Sequence, residues 1–286
     1  MPVERLRTYA SFVRLSHSVF ALPFALVGTL LAARGGGFTW ARLGWIVACM
    51  LTARSAAMGF NRLADADHDA RNPRTAMREL PRGRMSRAEA RAFVVVSSVL
   101  FVAGASRLGW ICFALSPVAL AIVFWYSLAK RYTAYTQAFL GLAMAVAPVG
   151  GWLAAGGSAA RWEPWILGLA IGAWVGGFDV LYACQDLAVD QREGLQSIPV
   201  RFGVVRSLLI SRGMHVVTVT ALFAVGVLAG LGPVYAAGVL LVAGLLVYEQ
   251  SLVTADDLSR VKQAFDLNAW VGLLYFATTT AAIYWK

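Results

Sequence analysis

Charge is scarce in this chain. Only 14% of its 286 residues are Asp, Glu, Lys or Arg, against 59% that are hydrophobic, and the mean hydropathy is +0.66. A water-soluble globule needs about a quarter of its residues charged to cover its surface, so a soluble fold is excluded. Histidine and cysteine number three each. Cys49, Cys112 and Cys184 lie in or beside apolar runs without a paired metal-ligand spacing, which makes them small packing residues. His17, near the first apolar run, also lacks a partner at ligand spacing. Long polar stretches are missing too, so no soluble domain remains beside the apolar ones.

What fills the chain instead is a series of apolar runs, each close to the ~20 residues a helix needs to cross a hydrocarbon core. Nine are expected, at about 18–33, 43–60, 92–108, 110–128, 138–155, 165–184, 208–229, 233–252 and 268–285. The first lacks a small-residue cleavage site and opens a series of similar runs, so it is expected to be a retained helix. Small residues recur within the runs, as in Gly141-Leu-Ala-Met-Ala-Val-Ala-Pro148 and Gly168-Leu-Ala-Ile-Gly172. Such residues let helix backbones approach inside a bilayer, which favours helices over a barrel. The fold class predicted is an all-α integral membrane bundle of about nine transmembrane helices, with residues 1–286 forming one transmembrane domain.

The net charge of +10 raises the question of nucleic acid, and the placement of the basic residues answers it. Nineteen of the 25 Lys and Arg fall at the N-terminus, on the even-numbered connections or, for Arg212, at the inner end of the seventh run; five fall on the other side and Arg54 lies within the second run. That asymmetry places the N-terminus and the basic loops in the cytoplasm, and no nucleic-acid partner is expected. Trp40, Trp45, Trp110, Trp162, Trp165 and Trp285 sit near run ends, where an amphipathic ring prefers the membrane interface.

With 15 acidic residues in all, their clustering carries information. Asn61-Arg-Leu-Ala-Asp65-Ala-Asp67-His68-Asp69 leaves the inner end of the second run, and Asp179-Val-Leu-Tyr182-Ala-Cys-Gln185-Asp186-Leu-Ala-Val-Asp190 leaves the inner end of the sixth. Residues four apart on a helix stack nearly above one another, so Asn61, Asp65 and Asp69 form one stripe that Arg54 extends upward. Asp179, Asp186 and Asp190 are expected to form a second. The two stripes would face each other across a central cavity open to the cytoplasmic side. Stacked carboxylates repel, and a charge at a helix centre in the membrane costs about 2.5–3.5 kcal/mol. A hard divalent cation offsets that cost, and Mg²⁺ characteristically takes a few carboxylates plus substrate phosphate oxygens. A Mg²⁺–diphosphate site is the expectation. A secondary transporter also uses intramembrane charge, but its carboxylates belong near the bilayer midplane rather than beside a basic loop.

Basic residues complete that chemistry. Arg74 and Arg78, in a loop broken by Pro73 and Pro81, offer forked donors to phosphate oxygens. Lys130 ends the segment Tyr126-Ser-Leu-Ala-Lys130 and offers a point charge. Arg54 is a candidate for the acceptor's carboxylate or for a contact to the first aspartates. Trp174, Phe178 and Tyr182 could wall the reacting centre, although core packing suits each of them as well.

Together these residues resemble the UbiA-type intramembrane aromatic prenyltransferases, over essentially the whole chain. The family's NxxxDxxxD pattern is matched by Asn61, Asp65 and Asp69, its YxxxK by Tyr126 and Lys130, and its final DxxxD by Asp186 and Asp190. Position 62 carries Arg where many members have Asp. The resemblance implies Mg²⁺-dependent transfer of a prenyl chain from a polyprenyl diphosphate to a small aromatic quinone precursor. It implies Asn61, Asp65, Asp69, Asp186 and Asp190 as Mg²⁺ ligands, the four aspartates being catalytic. Arg74 and Lys130 would hold diphosphate, with Arg54, Arg78, Tyr126, Asp179 and Tyr182 also on the substrate side. The wording of Phe60-Asn-Arg-Leu-Ala-Asp65, Asn72-Pro-Arg-Thr75 and Ser197-Ile-Pro-Val-Arg-Phe-Gly203 is similar to the bacterial 4-hydroxybenzoate branch. Part of that branch is similar to enzymes acting on 1,4-dihydroxy-6-naphthoate, and both acceptors stay open. The expected location is the bacterial inner membrane, with the active-site loops cytoplasmic.

Overall fold

The computed structural model describes residues 8–9, 11–13, 22–34, 36, 39–71 and 75–285. Among them the regular structure is entirely helical. The ten α-helices are α1 (Leu22–Ala33), α2 (Trp40–Arg71), α3 (Arg87–Leu108), α4 (Trp110–Ala129), α5 (Thr136–Ala154), α6 (Glu163–Ala183), α7 (Leu187–Arg192), α8 (Ile198–Leu228), α9 (Pro233–Ser251) and α10 (Val261–Tyr284). Setting aside the six-residue α7, nine helices match the nine apolar runs in order. Seven of them are long and apolar enough to cross a membrane unaided. In α1 only 12 residues are described, about 18 Å at 1.5 Å per residue. The first two turns of α10 carry Lys262, Gln263, Asp266 and Asn268, which lower its apolarity.

Two compact units divide the chain. One comprises residues 1–19 and 40–128, the other residues 20–39 and 129–286. In the first unit α2 packs along α3. Ser86 and Glu89 start α3 with a reciprocal capping box that satisfies two orphan backbone donors. Pro117 interrupts α4 and frees the carbonyl of Phe113, which accepts a 2.7 Å hydrogen bond from the Ser116 hydroxyl. Phe60 of α2 stacks on Phe124 of α4 at 4.5 Å between ring centroids.

The second unit is built around α6, which packs on α5 and α8 and touches α10 and α1. Its Leu167, Ala170, Ile171, Trp174, Val175, Val180 and Leu181 are all buried, so it is apolar all round, as a central helix must be. Glycine sets the spacing of its neighbours. A Cβ on Gly141 of α5 would sit 2.2 Å from the carbonyl oxygen of Gly172 on α6. The two backbones meet there with no room for a side chain, the close approach that small residues permit. Gly141→Ala is therefore expected to destabilise the protein by about 1–3 kcal/mol, the usual cost of overpacking. Gly150, on the same helix with open space around it, gives a matched control. Thermal unfolding in detergent should show a lower Tm for Gly141→Ala alone, and equal values for the two variants would contradict the proposed contact.

Candidate active site

The first acidic cluster belongs to an unbroken helix. α2 runs 32 residues, about 48 Å, so it exceeds a bilayer core and carries Asn61, Asp65 and Asp69 on its final turns. Asp65 and Asp69 are buried, Asn61 is half-buried, and Asp67 is exposed and ion-paired with Arg87. The expected stripe is thus present, and its buried face is the acidic one. Arg62 is buried as well, at 4% exposure.

Asp69 has a specific cationic partner. Arg78 Nη1 donates to both of its carboxylate oxygens, at 2.8 and 2.7 Å. The hydroxyl of Thr75 donates to the Asp69 carbonyl at 3.1 Å, so the loop after α2 folds back onto the end of that helix. Arg78 thereby offsets a carboxylate, a partner that its position beside the prolines does not reveal. Arg74 lies outside the described residues, as does His17. Higher on α2, Arg54 is half-buried and close enough to Tyr126 of α4 for the two groups to interact electrostatically. The YxxxK motif spans the division between units, with Tyr126 in the first and Lys130 in the second.

The second cluster departs from a continuous helical stripe. α6 ends at Ala183, the chain tightens into a 3₁₀ turn over Cys184–Asp186, and α7 resumes at Leu187. A 3₁₀ turn advances fewer residues per turn than an α-helix, which shifts Asp186 and Asp190 from the register that α-helical spacing alone gives relative to Asp179. The three carboxylates still lie within electrostatic range of one another around Asp179. Asp179, Asp186 and Asp190 are each half-buried.

Lys130 is tied to this cluster through the backbone. Its carbonyl accepts a 2.8 Å bond from the Gln196 N–H, and the Leu195 N–H donates to the Asp190 carbonyl at 2.9 Å. Gln137 Oε1 accepts from the Ile198 N–H at 3.1 Å, while the Ser197 hydroxyl caps α8 by accepting from Val200. The segment Ser197–Gly203 is therefore a structural joint. It ends where Gly203 adopts φ of 74°, a kink that favours glycine.

An aromatic wall descends α6 toward the aspartates. Trp174 and Phe178 meet at 5.3 Å, and Phe265 of α10 packs on Phe178 at 5.5 Å and on Tyr182 at 4.9 Å. Trp174 is fixed from behind, because its indole N–H donates to Asn268 Oδ1 at 2.7 Å, and it is only 1% exposed. Of the three aromatics singled out from sequence, Trp174 belongs to the core and Tyr182 alone stands half-exposed beside the cluster. Phe265 and Asn268 were not predicted, since nothing local to α10 marks them. Cys49 and Cys184 are buried as packing residues should be, and Cys112 is partly so.

Among the described residues no three His, Cys, Asp or Glu side chains form a metal-binding group by themselves. The donor chemistry nonetheless suits a hard cation: both clusters offer carboxylate and amide oxygens without thiol or imidazole ligands in their matched positions.

Comparison with known proteins identifies the family. The model of the UbiA prenyltransferase family matches residues 21–276. A 4-hydroxybenzoate octaprenyltransferase from Aeromonas salmonicida is 32% identical over 277 residues, covering 96% of this chain and 94% of its relative. The apo structure of a UbiA homologue from Aeropyrum pernix superposes with a TM-score of 0.85 at 34% identity, over 93% of this chain and 98% of that one. A UbiA homologue from Archaeoglobus fulgidus, bound to GPP and Mg²⁺, shares the fold with a TM-score of 0.73 at 19% identity, over 96% and 99% of the two chains. With its apolar helices and its three matched motifs, the chain belongs to the UbiA prenyltransferase family and is a multi-pass membrane prenyltransferase.

Proposed function

We propose that this enzyme transfers a polyprenyl chain from its diphosphate to the ring of 4-hydroxybenzoate, releasing diphosphate in a Mg²⁺-dependent reaction. The observation that carries this reading is the Asn61–Asp65–Asp69 stripe on one unbroken helix, with both aspartates buried and oxygen donors aligned as a hard cation requires. The curated relative's name supports the acceptor, and the GPP- and Mg²⁺-bound neighbour supports the donor and the metal. 1,4-Dihydroxy-6-naphthoate is the competing acceptor within the same reaction class.

In this reading Asn61, Asp65, Asp69, Asp186 and Asp190 would hold Mg²⁺. The metal, when bound, supplies electrostatic stabilisation to the departing diphosphate oxygens. Lys130 and Arg74 add positive charge to those oxygens, which favours breaking the allylic C–O bond. Tyr182 shields the resulting carbocation, keeping water from capturing it. Arg54 binds the acceptor's carboxylate, and Tyr126 also serves on the substrate side. The electron-rich ring carbon then bonds to the allylic carbon. Loss of the ring proton to diphosphate or an aspartate restores aromaticity. The 19-to-5 asymmetry of basic residues supports a cytoplasmic opening for the site, in a bacterial inner membrane.

The test is direct. Purified protein is incubated with prenyl diphosphates of several lengths, with each acceptor, and with Mg²⁺ or EDTA. The expected outcome is prenylated 4-hydroxybenzoate by mass, one diphosphate released per product, and no product in EDTA. Exclusive prenylation of the naphthoate would replace the acceptor, and absence of any prenylated ring would overturn the reading.

A further inference from the structure

A cavity of about 690 Å³ lies in the second unit at the end opposite the Asp179–Asp190 cluster. Glu163 begins α6 in its wall and Ala183 ends α6 at the other end, 21 residues or about 31 Å away. The ends of α1, α5, α8 and α10 and the loop before α6 line it, and it opens to the surface. Arg34, Trp152, Arg161, Leu228, Ile283 and Tyr284 are the lining residues that matter.

Its polar half is cationic and ordered. Arg34 Nη1 donates to the Ala229 carbonyl at 2.6 Å, which anchors the side chain while using one of its five N–H donors. Arg161 is held in plane by Glu163, whose carboxylate accepts from Nε at 3.1 and 3.2 Å and also from Nη2. Glu163 is itself 4% exposed, so it acts as a fixed brace for Arg161, and two guanidinium groups against one carboxylate leave the cavity net positive. The loop is stiff: the Trp152 and Trp165 indole N–H groups donate to the carbonyls of Ser158 and Ala159, at 3.1 and 2.9 Å. A Cβ on Gly157 would fall 2.3 Å from the Trp152 indole nitrogen, so the loop closes tightly over that ring.

The other half is apolar, from Leu31, Leu228 and Ile283. Around it Trp162, Trp165, Tyr284 and Trp285 are exposed, which marks the depth at which aromatic rings meet lipid headgroups. The volume far exceeds that of a small inorganic anion and lies in the range of organic-ligand pockets. A ligand that satisfies both halves carries a phosphate on an apolar body, at headgroup depth.

We propose that this cavity binds the phosphate group of a phospholipid, with Arg34 and Arg161 on the phosphate oxygens and the start of an acyl chain against Leu228 and Ile283. The site is separate from the aspartate clusters and does not depend on the acceptor assigned above.

Delipidated full-length protein is titrated with phosphatidylglycerol in detergent micelles, and separately with inorganic phosphate, reading adducts by native mass spectrometry and Tm by thermal unfolding. The expected result is a one-to-one phosphatidylglycerol adduct with a raised Tm, and no matching shift from inorganic phosphate. Arg34→Gln should weaken the adduct at least tenfold. Ile283→Trp, which fills the apolar half and leaves both arginines in place, should weaken it similarly, with both variants eluting as monodisperse protein. Undiminished lipid adducts in both variants would overturn the proposal. So would an equal Tm shift from inorganic phosphate that also displaces the lipid, which would make this a free-anion site.

Discussion

Prenyl transfer is expected to fall by on the order of 100- to 1000-fold when Asp65 or Asp186 is replaced by alanine, with little change in folding. A metal clamp contributes several kcal/mol of transition-state stabilisation, and each 1.36 kcal/mol is a factor of ten in rate. Each substitution removes one oxygen ligand in the proposed site while deleting little apolar contact. Asp65 is buried near the end of α2, where losing its charge relieves a desolvation cost, so Tm should hold steady or rise slightly. The measurement is turnover at saturating Mg²⁺ and both substrates, alongside thermal unfolding. Near-normal turnover in both variants would remove the aspartates from the chemistry. A matching collapse of Tm would make their role structural.

The second large effect concerns Arg78. Removing one partner of a buried ion pair costs about 3–5 kcal/mol, because the remaining charge is left desolvated. The Asp69 side chain is 9% exposed and that of Arg78 is 24% exposed, so the pair lies near the lower end of that range. Arg78→Ala should therefore cost about 2–3 kcal/mol. Asp69→Asn in the same protein should recover most of the loss, since the neutral amide needs no counter-charge. Unfolding of the single and double variants forms the cycle. If instead Arg78→Ala leaves Tm unchanged and raises only the KM for prenyl diphosphate, then Arg78 serves the substrate and its contact with Asp69 is incidental.

This pair also separates what local sequence can convey from what it cannot. Charge type and loop position suit Arg78 to phosphate, and the carboxylate it meets is a contact that neither conveys. Its partner proved to be a carboxylate nine positions earlier, reached only because the loop turns back on α2 and is pinned there by the Thr75 hydroxyl. The same limit applies to Phe265. It lies just before the last apolar run, in a polar stretch, and it joins the α6 aromatics only through the packing of α10 on α6.

The sequence by itself determined the helices, their order and the acidic residues that cluster at the ends of α2 and α6. Apolar length, helical spacing and the desolvation cost of charge in lipid are local quantities, and all three can be read along one chain. The tertiary structure decided which cation meets which carboxylate, how the 3₁₀ turn at Cys184–Asp186 re-aims the second cluster, and where a cationic cavity opens at the far end of α6. Those outcomes depend on contacts between residues distant in sequence. In the second unit the spacing of α1, α5 and α6 is also set by how closely glycine lets one helix backbone approach the next, which no single helix specifies alone.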